Sequence, residues 1–529
     1  MYNFRSKTRF IAGLGLTLAL AVPSFASAAS ADYGWTKSSK LYEVRTIVGK
    51  SELGHANGAN KDATFFQPYS AVALPDGRLL VSDYENHLIR VVTADKTETY
   101  AGLDLGQDEA NNPIGGYNDD VLLKSAFEHP AGLAIDSKGS IYVADFENNA
   151  IRVITKDGKV STLAGSGKLG SDDGVGEAAS FDHPSDVAVA KDGTVYVADT
   201  LNHAIRKITS DGKVTTLTAD SNRPVEYFPG VVDYWGSFKD GPIASAQFNE
   251  PSGLALDSKG NLYVSDLGNQ RIRYIDFAAG TVSTVAGGGE ELSKEQQYVE
   301  GDYVDGDALK ARFNAPRGLT VAPDGTLIIA DTLNHAIRTL KDGKVGTLAG
   351  MATDGGDSDG VSESAQFDNP TDVTILPDGR LVVVDQNSNK IRVLQKYAAT
   401  ASLPADKSIK VLLNGELLKT DVPAIMSPGA VLLPIRSIGN ALGYTVDYDD
   451  KAQAATLTKG NVVYTIKKNM KTVTKTVDGV SQQVTLNSAT VEKTDRLFIP
   501  VRFFAEESGF DIQWDDKPQI VVIRDKQFN

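Results

Sequence analysis

The stretch VYVADTLNHAIR, residues 195–206, is one copy of a pattern that the chain repeats six times. Each copy contains Phe, two further residues, Pro, an apolar stretch, Asp and, seven residues after that Asp, an Arg. The copies place these residues at Pro68, Pro130, Pro184, Pro251, Pro316 and Pro370, at Asp83, Asp145, Asp199, Asp266, Asp331 and Asp385, and at Arg90, Arg152, Arg206, Arg273, Arg338 and Arg392. A phrase that keeps its internal spacing while the spacers vary predicts a repeat architecture.

Each repeat reads as four short strands. In the second copy, Gly132 to Ile135 is small and β-branched, Asp136 to Gly139 supplies a turn, and Ile141 to Ala144 is rich in strand-forming residues. A third strand contains Ile151 and Arg152, and a fourth spans Ser161 to Gly165. Four antiparallel strands per unit, with no helix between units, predict a mainly β fold of the β-propeller type.

The number of fourth strands predicts how the ring closes. Segments of this type follow the first five repeats, at residues 98–102, 161–165, 215–219, 283–287 and 346–350, but none follows Arg392 in the sixth. A matching segment, Arg45-Thr-Ile-Val-Gly49, lies before the first repeat. We therefore predict a six-bladed propeller whose last blade is completed by the N-terminal strand, which leaves no exposed sheet edge.

The repeats resemble the NHL family. The phrase that carries the resemblance stands at Val197 to Arg206 and Ile329 to Arg338, and in weaker form in the other repeats. The resemblance covers roughly residues 42 to 396. It implies a propeller that serves as a protein- or RNA-binding platform, as a sensor ectodomain or, in related lineages, as a lyase, so it leaves the activity open.

A second duplication follows the propeller. Leu433-Pro-Ile-Arg436 and Ala441-Leu-Gly-Tyr444 recur 66 residues later as Ile499-Pro-Val-Arg502 and Glu507-Ser-Gly-Phe510. Pro at the start and Gly just past the end predict a short helix that leads into a strand in each half. Residues 408–529 resemble the stalk domain named after the N-terminal domain of copper amine oxidases, which is common on secreted proteins of Gram-positive bacteria. We expect a small α+β domain made of two related halves.

The name of that family does not imply copper chemistry in this chain. Copper sites need imidazole or thiolate ligands, and residues 397–529 contain neither His nor Cys. We therefore expect no copper and no amine oxidase activity. Both halves keep an Arg and an Asp, and we predict structural ion pairs between Arg436 and Asp449 and between Arg502 and Asp515.

Composition and the N-terminus indicate the compartment and the class of partner. The 529 residues carry a net charge of -15, which argues against nucleic acid and anionic membrane as partners, and there is no Cys for disulfides or lipid attachment. A basic, then apolar segment that ends in Ala26-Ser-Ala28 predicts a cleaved signal peptide at 1–28 and no membrane span in the mature chain. The domain prediction continues with the propeller at 41–396, a linker at 397–407 and the stalk domain at 408–529.

Residues that all six repeats share are interpreted as architecture. We expect the Asp and Arg sets to cap turns and to make blade-to-blade contacts. His87, His203 and His335 occupy one slot, which holds Asn149, Gln270 and Asn389 in the other blades, too far apart to share one metal ion. These His residues are predicted to be structural. His129 and His183 precede a blade Pro and are predicted to lie nearer the channel. For these two residues we favour a structural role over a role as metal ligands.

A functional site is expected where the six-fold pattern breaks, and the first break is the mouth of the central channel. The residues after each blade Pro differ there and include Tyr69, Asp186, Arg317 and Asp372. Asp186 and Asp372 belong to opposite blades, and two carboxylates at a channel mouth can bind Ca²⁺ or accept polar groups of a ligand. The alternative is that they accept hydrogen bonds from neighbouring backbone.

The second break is the longest insertion, from Asp220 to Gln247. It contains Tyr227, Tyr234 and Trp235, and aromatic side chains of this kind suit recognition of proteins or sugars. They could instead pack the insertion onto the propeller.

The function predicted from these features is a secreted binding scaffold, extracellular or associated with the cell wall. The propeller would recognise a protein or carbohydrate of the cell envelope, and the stalk domain would anchor or present it. The alternatives are a propeller lyase or hydrolase with a divalent cation at the channel mouth, and a purely structural envelope component. No cofactor is expected beyond the possible calcium ion.

Overall fold

The structure is a computed structural model, which describes residues 42–526 except 222, 229, 290–291, 293–295, 397–402, 405 and 516–518. At residues 227, 228, 233 and 515 it describes the backbone alone. The predicted signal peptide and most of the predicted linker lie outside these residues. No helix in the described part of the chain has the length and apolarity needed to cross a membrane.

The N-terminal part is a ring of six antiparallel sheets, as the repeat predicts. The first, innermost strands are Pro68–Ala73, Pro130–Ile135, Pro184–Val189, Pro251–Leu256, Pro316–Val321 and Pro370–Ile375. The second strands are Leu79–Asp83, Ile141–Asp145, Val195–Asp199, Leu262–Asp266, Leu327–Asp331 and Leu381–Asp385. The third strands are Leu88–Val92, Ala150–Ile154, Ala204–Ile208, Arg271–Asp276, Ala336–Lys341 and Lys390–Lys396. The fourth strands of blades one to five are Lys96–Ala101, Val160–Ala164, Lys213–Thr216, Thr281–Ala286 and Lys344–Ala349.

Short elements decorate the blades. Two-residue strands in the loops that lead into the blades pair with the fourth strands at Gly58–Ala59, Gly174–Val175, Gly241–Pro242, Gly306–Asp307 and Gly360–Val361. Single 3-10 turns lie at Tyr84–Asn86, Leu122–Lys124, Gly176–Ala178, Ile243–Ser245, Leu267–Asn269, Ala308–Lys310, Thr332–Asn334 and Ser362–Ser364. The longest insertion forms a hairpin of its own, Arg223–Phe228 paired with Val231–Trp235.

Closure by the N-terminal strand is confirmed. Tyr42–Val48 pairs antiparallel with Lys390–Lys396 and is the fourth strand of blade six. The strand begins three residues earlier than predicted and ends before Gly49, whose φ of +101° belongs to the region that glycine adopts readily. We call Tyr42–Val48 the closing strand.

A buried ion pair fixes the inside of each blade. The Asp at the end of the second strand accepts a bond of 2.5–2.7 Å from the Arg of the third strand, and both side chains are fully buried. The other carboxylate oxygen accepts a backbone N–H at the start of the same blade at 2.6–2.8 Å. The Asp therefore caps a turn as predicted, but its Arg partner lies in the same blade and not in the next.

The same Arg also ties down the loop that leads into its blade. Its second Nη donates at 2.5–2.9 Å to a loop side chain 33 residues earlier, which is Asn57 in blade one and Asp119, Asp173, Asp240, Asp305 and Asp359 in the others. The guanidinium also lies 4.6–5.4 Å from the ring of the motif Phe. Phe, Asp and Arg of the sequence motif thus form one structural unit.

Contacts between blades come from a different set of residues. The side chain in the predicted His slot accepts the backbone N–H of the residue before the Pro of the next blade, at 2.6–3.2 Å, in all six blades. We call this contact the latch. His87, His203 and His335 accept through Nδ1, whereas Asn149, Gln270 and Asn389 accept through an amide oxygen. The interpretation of these His residues as structural is confirmed by this geometry.

Apolar side chains fill the six spaces between neighbouring blades. The space between blades one and two, for example, holds Ile89 and Val91 from the first blade with Leu133 and Val143 from the second. The motif Phe127 is fully buried between them. Equivalent clusters fill the other five spaces, so the apolar core is divided among the blade interfaces.

Among its described residues the C-terminal part has three sheets and two short helices, α1 (Ile435–Ala441) and α2 (Val501–Glu507). The first sheet has the strands Glu416–Leu417, Lys410–Leu413, Ile520–Asp525 and Phe510–Asp515. The second has Ile425–Ser427, Ala430–Pro434, Arg496–Pro500 and Val491–Lys493. The third has Thr445–Asp449, Ala454–Lys459, Val462–Lys467, Thr472–Val477 and Val480–Thr485.

The two halves of this domain are related by a local two-fold axis. In the second sheet Leu433 pairs with Ile499, its counterpart in the duplication, and the flanking pairs are symmetric about them. The predicted ion pair between Arg436 and Asp449 is wrong. Asp449 accepts the N–H groups of Lys451 and Ala452, because it closes the turn after its strand. Arg502 pairs with Glu506, one helical turn away, at 3.1 Å, and the side chain of its predicted partner Asp515 lies outside the described residues.

The C-terminal domain contacts the propeller at the closing strand. Arg524 is 3% exposed, donates to the carbonyl of Tyr42 at 3.0 Å and lies 3.5 Å from the carboxylate of Glu43. The N–H of Val361, in the edge strand next to the closing strand, donates to the carbonyl of Lys526 at 3.2 Å. The last strand of the chain therefore lies against the strand that closes the ring.

Removing the closing strand should destabilise the whole ring. Tyr42, Val44 and Val48 are at most 3% exposed, and burial of each such side chain contributes about 1.5–3 kcal/mol. We expect a chain that starts at Ser51 to aggregate or to lose at least ~5 kcal/mol of unfolding free energy relative to a chain that starts at Tyr42. Denaturant unfolding and size-exclusion chromatography measure this. An unchanged midpoint in a monomeric shortened chain would contradict closure.

The latch makes stability depend on pH. Burial lowers the pKa of His87 and of His203 from 6.5 to about 4. Between these values the unfolded chain binds more protons than the folded one, so stability should fall as the pH falls from 6.5 to 4. A lowering of the pKa from 6.5 to about 4 corresponds to about 3 kcal/mol per His when protonation is complete. We expect the double variant H87N/H203N to lose less stability than the wild type over this range.

Asn is a suitable replacement because it already forms the latch in blades two and six. Urea midpoints at pH 7.5 and 4.5 provide the measurement. If wild type and double variant lose the same stability, the latch is not the origin of the acid sensitivity.

Candidate functional site

The four residues predicted at the channel mouth line one small cavity. Tyr69, Asp186, Arg317 and Asp372 surround a volume of about 10 Å³, together with small residues of the innermost strands. That volume is about the space of one water molecule. The channel is therefore filled by side chains at this level, and a ligand larger than water must bind above it.

Asp186 and Asp372 occupy equivalent positions in opposite blades. Asp186 accepts the N–H groups of Val187 and, in the next blade, Leu254 at 2.7–2.8 Å. Asp372 likewise accepts the N–H groups of Val373 and, in the next blade, Ala71 at 2.8–3.0 Å. Burial raises the pKa of Asp372 to about 6 and raises that of Asp186 well above its usual range. Both carboxylates thus link neighbouring blades, which is the alternative that the sequence left open.

Glycines make room for these two carboxylates. A Cβ on Gly132 would lie 2.2 Å from Oδ1 of Asp186, and a Cβ on Gly318 would lie 2.3 Å from Oδ1 of Asp372. Each Gly belongs to the blade that precedes its Asp. The close approach explains why each of these two Asp residues is preceded by a Gly at the same position of the previous blade.

The arrangement is not favourable for calcium. Ca²⁺ takes six to eight oxygen ligands, whereas both carboxylates already use both oxygens on backbone N–H groups. Within the described ranges no three His, Cys, Asp or Glu side chains are grouped so as to hold a metal ion. Calcium binding by Asp186 and Asp372 stays a prediction, and a bound ion would have to displace these hydrogen bonds.

Tyr69 and Arg317 contact each other at the channel mouth, and we call this pair the plug. Nη1 of Arg317 donates to the Tyr69 hydroxyl at 3.3 Å, and its guanidinium lies 5.6 Å from the Tyr69 ring. Burial raises the pKa of Tyr69, so the hydroxyl is neutral at physiological pH. Nε of Arg317 is buried and has no hydrogen-bond partner among the described residues. A cationic group that is only partly paired therefore remains at the mouth.

A continuous row of rings extends from Tyr69 across blades one to three. Tyr84 stacks on Tyr69 at 5.5 Å and on His129 at 4.6 Å, and Phe146 contacts Tyr84 at 5.9 Å and His183 at 4.8 Å. We call Tyr84, His129, Phe146 and His183 the aromatic band. All four are partly exposed, so the band presents ring surface to solvent beside the channel plug.

Carboxylates border the aromatic band. Nε2 of His129 lies 3.5 Å from Glu85, and the ring nitrogens of His183 lie 3.4 Å from Glu147 and 2.6 Å from Asp182. The hydrogen bond to Asp182 raises the pKa of His183 above its usual value, and the hydrogen bond to His129 lowers the pKa of Glu85. His129 and His183 are bound by carboxylates here, and the band as a whole combines rings with hydrogen-bond acceptors.

Sequence reasoning did not single out Tyr84 and Phe146, although a signal was present. The residue after the blade Asp is Tyr84, Phe146, Thr200, Leu267, Thr332 and Gln386 in blades one to six. Only blades one and two have an aromatic residue there. Thr200 and Thr332 donate to a carbonyl of the next blade and are buried, so a small polar residue is compatible with the fold. The rings are therefore a departure from what the architecture requires.

The aromatic residues of the long insertion have different surroundings. Tyr234 is 66% exposed on the hairpin, whereas the Trp235 ring contacts Tyr298 edge-on at 5.3 Å. The Tyr298 hydroxyl donates at 2.8 Å to Glu250, which precedes a blade Pro. The backbone of Tyr227 lies in the hairpin, and its side chain lies outside the described part of the structure. The hairpin is thus connected to the mouth through Trp235, Tyr298 and Glu250.

Other aromatic residues of the insertions serve the architecture. Tyr117, Phe238 and Tyr303 lie 4.6–4.8 Å from the guanidinium groups of Arg152, Arg273 and Arg338. Their rings cover the buried ion pairs of blades two, four and five, so these three rings are not assigned to the candidate site.

The comparisons with known proteins agree with this architecture. Residues 127–154, 181–208 and 248–273 match the family model described as NHL repeat. The chain contains NHL repeats. Residues 412–523 match the model described as Copper amine oxidase N-terminal domain, which covers most of the predicted stalk domain.

Curated relatives include NHL proteins of animals. Human NHL repeat-containing protein 2 is 30% identical over 406 residues, which are 72% of this chain and 54% of that protein. The bovine protein of the same name is 29% identical, over 78% of this chain and 59% of that protein. The chloroplastic Protein SUPPRESSOR OF QUENCHING 1 of Arabidopsis thaliana is 31% identical, over 53% of this chain and 26% of that protein. The chain thus spans little more than half of the NHL relatives and about a quarter of the plant protein.

Among solved structures, an auxiliary nutrient binding protein from Bacteroides thetaiotaomicron aligns with a TM-score of 0.48 and 16% identity. The alignment covers 68% of this chain and 77% of that protein.

The two rings of the hairpin should respond differently to replacement by Ala. Tyr234 is exposed, so Y234A should leave the melting temperature within ~1 °C, because exposed substitutions rarely change stability. W235A loses the contact with Tyr298 and should cost about 0.5–1.5 kcal/mol. If Tyr234 contacts a ligand, Y234A should weaken binding to purified cell walls by about tenfold. If Y234A binds like the wild type, Tyr234 does not contact the ligand and the recognition surface lies at the channel mouth.

Proposed function

We propose that this protein is a secreted binding scaffold whose NHL propeller captures a protein or glycan of the cell envelope at the mouth of its channel. The binding surface would comprise the aromatic band, the Tyr69–Arg317 plug and the exposed face of the hairpin. The C-terminal domain would hold or present the propeller at the cell wall. The predicted signal peptide supports this location.

The aromatic band is the observation that carries the proposal. Tyr84 and Phe146 lie where the six-fold pattern breaks, and the corresponding positions of the other blades hold Thr, Leu or Gln without loss of the architecture. Partly exposed rings in a continuous row are costly to hydrate and offer a large, rigid contact area. A recognition surface explains why they are concentrated in blades one to three.

The chemistry around the rings favours a ligand with many hydrogen-bond donors. Glu85, Glu147 and Asp182 accept hydrogen bonds, and Arg317 donates from the plug. Sugar hydroxyl groups and backbone or lysine N–H groups of proteins both suit acceptors beside an aromatic surface. The net charge of -15 gives no support to nucleic acid as the ligand.

The filled channel supports binding at the surface over chemistry inside the propeller. The lyase or hydrolase alternative needs a divalent cation near Asp186 and Asp372, and the space there is about that of one water molecule. No grouping of His, Cys, Asp and Glu suited to a metal is found in the described residues. A binding scaffold is therefore the function that the geometry supports best.

Replacing the two prominent rings tests the proposal. In the double variant Y84T/F146T the side chains become the residue that blades three and five have at the same position. We expect binding to purified cell walls to weaken by at least ~10-fold, because each buried aromatic anchor contributes about 1–2 kcal/mol. Loss of the ring contacts should cost about 0.5–1.5 kcal/mol per pair, so binding is measured well below the melting transition of the variant. Sedimentation of the protein with purified walls measures the binding.

The matched control is Q386T, which makes the same replacement in blade six, outside the aromatic band. We expect it to bind like the wild type. Equal loss of binding in both variants, or full binding by Y84T/F146T, would contradict the assignment of the mouth as the recognition surface.

A further inference from the structure

The duplication in the C-terminal domain has produced two equivalent grooves. Groove one lies beside α1 and includes Arg436, Val446 and Tyr448 in its lining. Groove two lies beside α2 and includes Arg502, Ile512 and Trp514. Every residue that lines groove two has its counterpart, 66 residues away, in the lining of groove one. The local two-fold axis at Leu433 and Ile499 therefore relates the two grooves.

The two copies have diverged in size. Groove one has a volume of about 890 Å³, and groove two has a volume of about 340 Å³. Sites for small ligands usually have volumes of roughly 300–1,000 Å³. The larger groove is thus big enough for several sugar rings or an equivalent ligand.

The two arginines differ in their partners. Arg502 is neutralised by Glu506, which follows it by four residues on α2, at 3.1 Å. The residue in the place of Glu506 in the first copy is Asn440. Arg436 is exposed, and none of the described carboxylates lies within 4 Å of its guanidinium. The first copy therefore lacks the partner that the second copy has.

Two other cations at groove one are already paired. Lys468 lies 2.8 Å from Glu492, and Arg496 lies 2.8 Å from Asp421. Arg436 and Lys419 are therefore the two cations in the lining of groove one that lie within 4 Å of no described carboxylate, and Arg436 is the guanidinium of the two. A guanidinium offers a planar pair of donors that matches a carboxylate or phosphate group.

The rest of groove one suits a polyol. Ile435 and Ala455 contribute buried apolar surface, and Tyr448 is 48% exposed beside them. Asp447 and Asp495 add carboxylates that accept hydrogen bonds from hydroxyl groups. These carboxylates also repel densely charged polymers, so the ligand should carry few anionic groups.

We propose that groove one binds an anionic glycan segment, in which Arg436 binds a carboxylate or phosphate group and Tyr448 contacts a sugar ring. The site lies in a different domain from the aromatic band. Binding at groove one therefore does not depend on which ligand the propeller captures. It gives the proposed anchoring role of the C-terminal domain a chemical basis. If replacing Arg436 does not weaken binding of an anionic glycan, the proposed recognition function of the channel mouth is not affected by that result.

The duplication itself supplies the variants for the test. R436Q removes the cation, and N440E installs the Glu that neutralises Arg502 in the second copy. R502Q is the matched control, because it changes the equivalent Arg that is already paired. All three residues are on exposed faces of short helices, and thermal melts of the full-length mature protein check that the variants fold.

The probes are a cellotriose that carries a single terminal uronate, its neutral methyl ester and a cellotriose that carries a single terminal phosphate, titrated calorimetrically. We expect the wild type to bind at least one anionic probe and to bind the ester at least ~10-fold more weakly. R436Q and N440E should weaken binding of that anionic probe by ~10-fold or more, and R502Q should change it less than twofold. The two anionic probes distinguish carboxylate from phosphate.

Three results would overturn the proposal. The first is that neither anionic probe binds. The second is that the ester and the acid bind with equal affinity, and the third is that R436Q and R502Q change the affinity equally. Binding of purified cell walls that depends on Tyr84 and Phe146 while R436Q has no effect on the probes would keep the proposed function and reject this site.

Discussion

The buried pair of Asp and Arg inside each blade is the interaction on which the rest of the structure depends. Breaking such a pair by removing one partner typically costs about 3–5 kcal/mol, because a charge is left uncompensated in the interior. In this propeller the Arg also binds the loop that leads into its blade, and the Asp also binds the backbone where the blade begins. One ion pair therefore fixes the second strand, the third strand and the leading loop of a blade together. The surface beyond these fixed points is free to vary, and the hairpin of blade four is the largest variation.

Much of the propeller could be predicted because its determinants are local and repeated. The spacing from Asp199 to Arg206 is set by a hairpin between adjacent strands, so it recurs whenever that hairpin does. The closing strand could be found by counting, since a blade without a fourth strand exposes an edge. The partners of Asp186 and Asp372 could not be predicted in full, because one of the two N–H groups that each binds belongs to the next blade and depends on how the blades are packed. The pair predicted between Arg436 and Asp449 failed for a local reason, since Asp449 accepts the N–H groups of the turn that follows its strand.

The candidate site could be predicted only in part from the sequence. Tyr69, Arg317, Asp186 and Asp372 are indeed brought together, yet they fill the channel and leave space for about one water. Tyr84 and Phe146 directly follow Asp83 and Asp145, which all six repeats share. A search for the shared Asp therefore does not identify the variable residue that follows it. In both duplications of this chain, the copies agree where the fold needs them to agree. The differences between copies, such as Phe146 against Thr200 or Asn440 against Glu506, are the places where the chemistry of recognition can be sought.

The contact between Arg524 and the closing strand has a mechanical consequence. If the C-terminal domain is fixed to the cell wall and the propeller holds a ligand, tension between the two is transmitted through Tyr42 and Glu43 as well as through the connecting chain. The element that bears this load is the same strand that completes blade six. Detachment of the C-terminal domain and opening of the ring are therefore coupled events, and a force strong enough to separate the domains acts first on the seam of the propeller.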